Sequence, residues 1–399
     1  MSDEKKVGFI RMGEVQASRA VPEIGVGVLG YAFMGKAHSN GYLQMPVLFY
    51  PPPAKPKLVA ISGRTEAAVA EAARRYGYQR YYTDWRDLVK DERIELVDNS
   101  LPNNMHRDPS IAASEAGKHV FCEKPLAMNY REAKEMYDAV TKTGVKNMVS
   151  YNYRFVPAIM LARELIEEGY LGNILQFRAV YLQEWIMNPD FPRVWRLNKS
   201  IAGSGALGDL GSHSIDLARY LVGDVEAVSA LKKTFIDERP LHDDPTKRGK
   251  VDVDDAFIAL LKFKNGAIGS VEASRFCAGR KNFQRIEVHG TDGSILFDLE
   301  RLNELQVYSN REKGDRMGFK DIMATESVHP LMEHWWPHGH ALGWGDSHVN
   351  QIYHLINCIV NDKKIEPLGA TFYDGLKCDE ICEAISISAD KEKWVSLPI

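Results

Sequence analysis

IGVGVLGYAFMG, residues 24–35, decides how this chain is read. Ile24 to Leu29 is an apolar run of strand length, and Gly30, Ala32 and Gly35 follow it as G-x-A-x-x-G. A dinucleotide fingerprint has glycine where Ala32 stands. Gly30 allows a tight turn, a small residue at 32 lets backbone approach a pyrophosphate, and Gly35 lets helix pack closely on strand. Phe33 and Met34 fall inside this turn, next to the phosphates, and the residues from Lys36 to Met45 can be helical. A plain tight turn would share these glycines. Its place at the first strand of a strand–helix–strand unit makes it a dinucleotide turn.

Working outward, strands and helices alternate. A proline-rich loop from Pro51 to Pro56 leads to a strand over Lys57 to Ser62, and alanine-rich Thr65 to Tyr76 has high helix propensity and stops at Gly77. IELVDNSLP (94–102), HVFCEKP (119–125) and VKNMVSY (145–151) read as strands, with helices over 109–117 and 129–144 between them. This alternation predicts an α/β Rossmann domain, a doubly wound parallel sheet. An acid about 20 residues beyond the glycines usually holds the ribose of NAD. Here the second strand ends in Ser62, Gly63 and Arg64, with no acid. A guanidinium suits a 2′-phosphate, so NADP is favoured over NAD as cofactor.

With 399 residues the chain is too long for one ordinary core. The expected division is an N-terminal extension (1–20), a dinucleotide-binding domain (21–150) and a substrate-binding and oligomerisation domain (151–399), a C-terminal helix packing back on the first. Net charge −4 offers no basic surface for nucleic acid, and no apolar run is long enough to span a membrane. Residues 1–19 lack the apolar centre of a secretory signal. Cysteines 122, 277, 358, 378 and 382 have no paired metal spacing, which points to the cytoplasm and to no metal site.

After Tyr151 the rhythm changes. A helix over Val156 to Glu168 precedes a strand, NILQFRAVYLQEW (173–185), and from Val225 strand follows strand. Asn265-Gly266 and Thr291 to Gly293 read as hairpin turns. The expectation is an α+β domain on an open, mostly antiparallel sheet, closed by helices near Ser347 to Val360 and Asp374 to Ser388. Between these lies GALGDLGSHSIDLARYLVG (205–223), whose spacing sets Asp209, His213 and Asp216 near one helical face. Asp209 could simply cap that helix and His213 could simply be packed. Glu123 and Lys124 end a parallel strand, where ligands of doubly wound sheets bind.

The dinucleotide turn, SLPNNMH (100–106), CEKP (122–125) and GSGALGDLGSHSID (203–216) form an ordered set. From about Ile24 to its C-terminus the chain resembles the Gfo/Idh/MocA oxidoreductases. Within that family YLQEW (181–185), WRLNKSIAGSGALGD (195–209) and VDVDDAF (251–257) are most similar to sugar 3-dehydrogenases. The resemblance implies a nicotinamide-dependent oxidation of a sugar or polyol hydroxyl. Lys124, Asp209 and His213 match the catalytic group: His213 would take the hydroxyl proton while Asp209 orients the imidazole. Leu101, Pro102, Asn103 and His106 match a loop at the cofactor, and Asp216 would be a structural partner. Tyr153, Glu184, Trp185 and Arg196 suit a sugar pocket, with Asp209 and His213 at its reacting end. HWWPHGHALGWGDSH (334–348) departs from the pattern. Its His340 could reach substrate; its four histidines lack the partners of a metal site. The partners expected are a sugar or polyol and further copies of the chain, as a homodimer or homotetramer through the C-terminal sheet. Two alternatives share the fold, a nicotinamide-dependent glycosidase and a non-catalytic sugar sensor.

Overall fold

Strand β1 (Glu23–Leu29) is buried along nearly its whole length, and helix α1 (Phe33–Leu48) starts directly from the glycine turn. The computed structural model describes residues 20–399, so the extension expected over residues 1–19 lies outside the described residues. The first half continues through β2 (Lys55–Ser62), α2 (Glu66–Tyr76), β3 (Arg80–Tyr82), α3 (Trp85–Lys90), β4 (Leu96–Asn99), α4 (Arg107–Glu115), β5 (His119–Cys122), α5 (Tyr130–Thr143) and β6 (Asn147–Val149). Its six strands lie in the order β3-β2-β1-β4-β5-β6, all parallel. The order reverses between β1 and β4, and there a crevice opens at the carboxyl ends of the strands. Helix α1 begins three residues before the expected Lys36, because nothing in the turn breaks it, and Pro46 is tolerated in its last turn.

The second half comprises α6 (Pro157–Glu167), β7 (Ile174–Leu182), α7 (Lys199–Ala202), a π-helical turn (Leu207–Gly211), α8 (Ser212–Leu221), β8 (Val225–Lys233), β9 (Glu238–Pro240), β10 (Arg248–Lys250), β11 (Ala256–Phe263), β12 (Ile268–Ser274), β13 (Phe283–Gly290), β14 (Gly293–Asp298), β15 (Glu304–Ser309), β16 (Lys320–Met323), α9 (Trp344–Val360), α10 (Phe372–Lys391) and β17 (Val395–Ser396). Nine of its strands make one sheet, β16-β15-β14-β13-β7-β12-β11-β8-β17, antiparallel except between β7 and β12. Strands β9 and β10 pair as a separate hairpin that the sequence did not announce. The strand expected to reach Trp185 leaves the sheet after Leu182, so Gln183 to Trp185 turn away from it.

Helices α6, α8 and α10 cover one face of the large sheet. Helix α9 instead packs on α1, and the Val149 amide donates to the Ala370 carbonyl (2.7 Å). The bidentate Arg154–Asp216 pair (2.8 and 2.6 Å) is buried between α8 and the turn before α6, so Asp216 is held by Arg154. The opposite sheet face exposes Leu231, Ile258, Leu260 and Ile268, each more than half accessible, where β8, β11 and β12 run side by side.

Asp254 sets the π-turn. Its carboxylate accepts the Gly205 and Leu207 amides (2.8 and 2.7 Å), while its carbonyl accepts from Ala206 and from the Arg275 guanidinium (both 3.0 Å). A Cβ at Gly205 would sit 1.7 Å from the Asp254 carbonyl oxygen, so only glycine fits there. Asp254→Ala leaves two buried amides without their charged acceptor. It is expected to destabilise the protein by about 2–4 kcal/mol, read as a lowered denaturation midpoint, and to lower kcat by displacing Asp209.

Candidate active site

One cavity, about 570 Å³, lies across the carboxyl ends of the parallel strands and is walled on its far side by the large sheet. At one end stands the N-terminus of α1. No side chain caps it, its first turn holds no acid, and Ala32, Phe33 and Met34 line the cavity. Unpaired amides at a helix N-terminus favour an anion. Gly30 has φ +96°, and a Cβ at Gly35 would lie 2.1 Å from the Gly30 carbonyl oxygen, so both glycines are required. This cradle fits the pyrophosphate of a dinucleotide. Ser62, Gly63 and Arg64 lie beyond the cavity, at the end of β2. The Ser62 carbonyl accepts the Gly30 amide (2.9 Å), and the Tyr31 ring packs on Gly63.

At the other end Lys124, Asp209 and His213 come together. Lys124 Nζ donates to the Asp209 carbonyl (2.6 Å) and lies 3.4 Å from its carboxylate, while Arg275 approaches the same carboxylate at 3.8 Å. Burial opposes the charged form of Asp209, yet Lys124, Arg196 and Arg275 outweigh it and hold its pKa at about 2. His213 is packed among Tyr151, Tyr153 and Tyr181, the nearest ring centroid being that of Tyr153 at 4.6 Å. Its Nδ1 is buried and unpartnered. Burial first, and then the Lys124 charge, push its pKa well below 6.5. The expected Asp209–His213 contact does not form. The π-turn carries the Asp209 side chain to Lys124 and Arg275 instead.

Leu101, Pro102, Asn103, His106 and Glu123 also line the cavity. Asn103 donates to the Ala202 carbonyl (2.9 Å) and ties the two halves together. Both His106 nitrogens lie against backbone carbonyls, of Pro125 (2.9 Å) and Leu101 (2.8 Å). That side chain braces the loop and keeps no nitrogen for a ligand. Of the expected sugar contacts, Tyr153, Trp185 and Arg196 line the cavity. Glu184 does not: the Gly279 amide and Lys281 hold it. His340 does not either, since it sits on an exposed turn and bonds to the Pro337 carbonyl (2.8 Å). Among the described residues no group of histidine, cysteine or acid could hold a metal ion.

Sequence reasoning missed one wall. Tyr153 and Tyr181 share a hydrogen bond (2.8 Å), Tyr181 donates to Asn282 Oδ1 (2.8 Å), and Gln183 donates to the same oxygen (2.7 Å). Because the Tyr181 proton goes to Asn282, the Tyr153 hydroxyl must donate to Tyr181. Trp344, from the histidine- and tryptophan-rich segment, stacks on Phe33 at 5.3 Å and closes the rim.

A doubly wound sheet with an anion cradle, joined to an open-sheet half that brings a carboxylate, an imidazole and a guanidinium to the same cavity, defines a dinucleotide-dependent oxidoreductase. Residues 24–151 match the oxidoreductase family with NAD-binding Rossmann fold, and residues 159–296 match the GFO/IDH/MocA C-terminal domain. The chain belongs to this Gfo/Idh/MocA family of oxidoreductases. It is 44% identical to levoglucosan dehydrogenase of Pseudarthrobacter phenanthrenivorans, over 94% of this chain and 98% of that one. It is 30% identical to myo-inositol 2-dehydrogenase of Thermotoga maritima, over 73% and 79%. Among solved structures, levoglucosan dehydrogenase in complex with NADH and L-sorbose superposes with TM-score 0.91 at 45% identity, covering 95% of this chain and all of that one. Its complex with NADH and levoglucosan gives 0.90 at 45%, covering 94% of this chain and all of that one.

An imidazole with so low a pKa stays neutral through the physiological range. With His213 accepting the proton, kcat/KM is expected to stay level as the pH falls from about 8 past 6.5. A pH–rate profile checks this, and an acid limb centred at the ordinary histidine pKa contradicts it.

Proposed function

We propose that this protein oxidises a secondary hydroxyl of a sugar, anhydrosugar or cyclic polyol to a ketone, with a nicotinamide dinucleotide as acceptor. The observation that carries this is the meeting of Lys124, Asp209 and His213 in the cavity that begins at the uncapped end of α1. Relatives solved with levoglucosan and with L-sorbose support an anhydrosugar or ketose-sized substrate. When bound, the nicotinamide supplies the hydride acceptor. The substrate hydroxyl sits between Lys124 and His213, and neutral His213 takes its proton as the carbonyl forms. The Lys124 ammonium stabilises negative charge developing on that oxygen. Asp209 holds the Lys124 side chain in place, which replaces the orienting role that the sequence suggested toward His213. Tyr153, Asn282, Trp185 and Arg196 offer the polar and aromatic contacts that orient a sugar ring.

The family binds NAD. Arg64, together with the lack of an acid at the end of β2, supports use of NADP as well. NADP is expected to give kcat/KM within tenfold of NAD or better, and Arg64→Ala to reduce NADP use selectively. A tenfold or greater preference for NAD in the unsubstituted protein overturns this. An aspartate at 63 is a poor probe, because a Cβ there would lie 2.1 Å from the Tyr31 ring.

Residues 21–150 and 151–399 are proposed as the two domains, the last parallel strand ending at Val149. The apolar face of Leu231, Ile258, Leu260 and Ile268 supports self-association as a dimer or tetramer through the large sheet.

The functional test is a panel of sugars, anhydrosugars, glycosides and inositols with each cofactor, followed by absorbance of the reduced nicotinamide. Lys124→Ala and His213→Ala are each expected to lower kcat about 10²- to 10⁴-fold while NADH binding, read by fluorescence, persists. The double variant should be little worse than the worse single one. Near-normal turnover in His213→Ala would leave the 205–223 segment a structural turn only.

A further inference from the structure

His38 lies on α1, one turn beyond the anion cradle, and is fully buried. Its Nδ1 lies 2.9 and 3.0 Å from the two oxygens of Asp98 at the end of β4, and its Nε2 lies 3.1 Å from Glu123 just past β5. Tyr42, also on α1, donates to Asp98 (3.0 Å), and the backbone amide of Lys124 donates to the second Glu123 oxygen (3.1 Å). The Glu123 oxygen facing Nε2 accepts no hydrogen bond, so the contact on that side is an ion pair made by the protonated ring. With a carboxylate within 3.1 Å of each nitrogen the protonated ring is favoured, and the trio then carries one net negative charge.

Phe121 stacks on the His38 ring at 5.0 Å and brings no charge. Ser150, beyond β6, lies 3.3 Å from Nε2 and accepts from Gln351 of α9. His348, also on α9, is 5.3 Å away ring to ring, and Gln351 donates to its Nδ1 (2.7 Å). Burial and the neighbouring His38 charge push the His348 pKa down to about 3, so it is the neutral member of the pair. For His38, burial alone would lower the pKa, but Asp98 and Glu123 reverse this and raise it to about 10. Burial opposes the charge on Glu123 too, and His38 and Lys124 overcome it, lowering its pKa to about 2.

We propose that His38 is a positioning residue for the oxidation: clamped between Asp98 and Glu123, it fixes an ionised Glu123 in the cavity wall beside Lys124, where the trio's net negative charge favours a cationic, oxidised nicotinamide over the neutral, reduced one. This rests on placing the reacting end of the site at Lys124 and His213. Glu123 is the member of the trio that lines the cavity. Its charge acts through a low-dielectric floor, where a unit charge a few Å from another is felt strongly.

The test compares dissociation constants of NAD⁺ and NADH, by calorimetry and fluorescence, for the unsubstituted protein, Glu123→Gln and His38→Gln from about pH 6 to 9. In the unsubstituted protein the ratio of the two constants is expected to be flat across this range. Glu123→Gln should weaken NAD⁺ relative to NADH by about tenfold or more. In His38→Gln, the two buried carboxylates lose the cation between them, which raises their affinity for a proton. The ratio should then change with pH, which loss of packing alone would not cause. A ratio unchanged by Glu123→Gln overturns the proposal, even should circular dichroism show that His38→Gln does not fold. Failure of the unsubstituted protein to bind either dinucleotide would overturn the functional assignment itself.

Discussion

The bond from Lys124 Nζ to the Asp209 carbonyl, 2.6 Å long, joins a residue fixed by the parallel sheet to one fixed by the large sheet. The rest of the site depends on it. Lys124 lies two residues past the end of β5, so its position is set by the register of that sheet. Asp209 stands in a π-turn that Asp254 holds by two amides, so its position is set by β11 and its neighbours. Two independently built layers thus deliver their charges to one point. The Asn103–Ala202 bond and the packing of α9 on α1 stop them drifting apart. The Asp209 carboxylate then sits among Lys124, Arg196 and Arg275, which keeps it ionised despite its burial.

Much of this was legible in the sequence, because its signals are local. G-x-A-x-x-G after an apolar run, at the first strand of a strand–helix–strand unit, reads as a dinucleotide turn, and CEKP marks a strand end. Asp209 and His213 were legible as a pair but not in their relation. Helical spacing set them on one face, whereas the π-turn adds a residue to the turn and separates their partners. That turn is fixed by Asp254, more than forty residues away, so no local pattern announces it. Glu184 and His340 were sugar-binding candidates by residue type; Lys281 and the Gly279 amide claim the first, and an exposed turn keeps the second on the Pro337 carbonyl.

The wall of Tyr181, Gln183 and Asn282 stayed hidden for a different reason. Alternate residues of a strand read the same whether their face meets a core or a cavity. Arg275, just past β12, is fully buried, and two of its nitrogens make no hydrogen bond. His38 looked like a helix residue after the fingerprint. Only the convergence of β4 and β5 on its two nitrogens reveals a fixed charge.

The contrast between the two ends of the cavity has an evolutionary consequence. At the cradle, a single methyl group at Gly35 would strike the Gly30 carbonyl, so that end tolerates no drift. Across from it, Gln183, Trp185 and Arg196 project from chain outside regular strands, and exchanging them disturbs no sheet register. A lineage built on this frame can therefore change its diet while keeping its redox currency, which is how one architecture comes to serve many sugars.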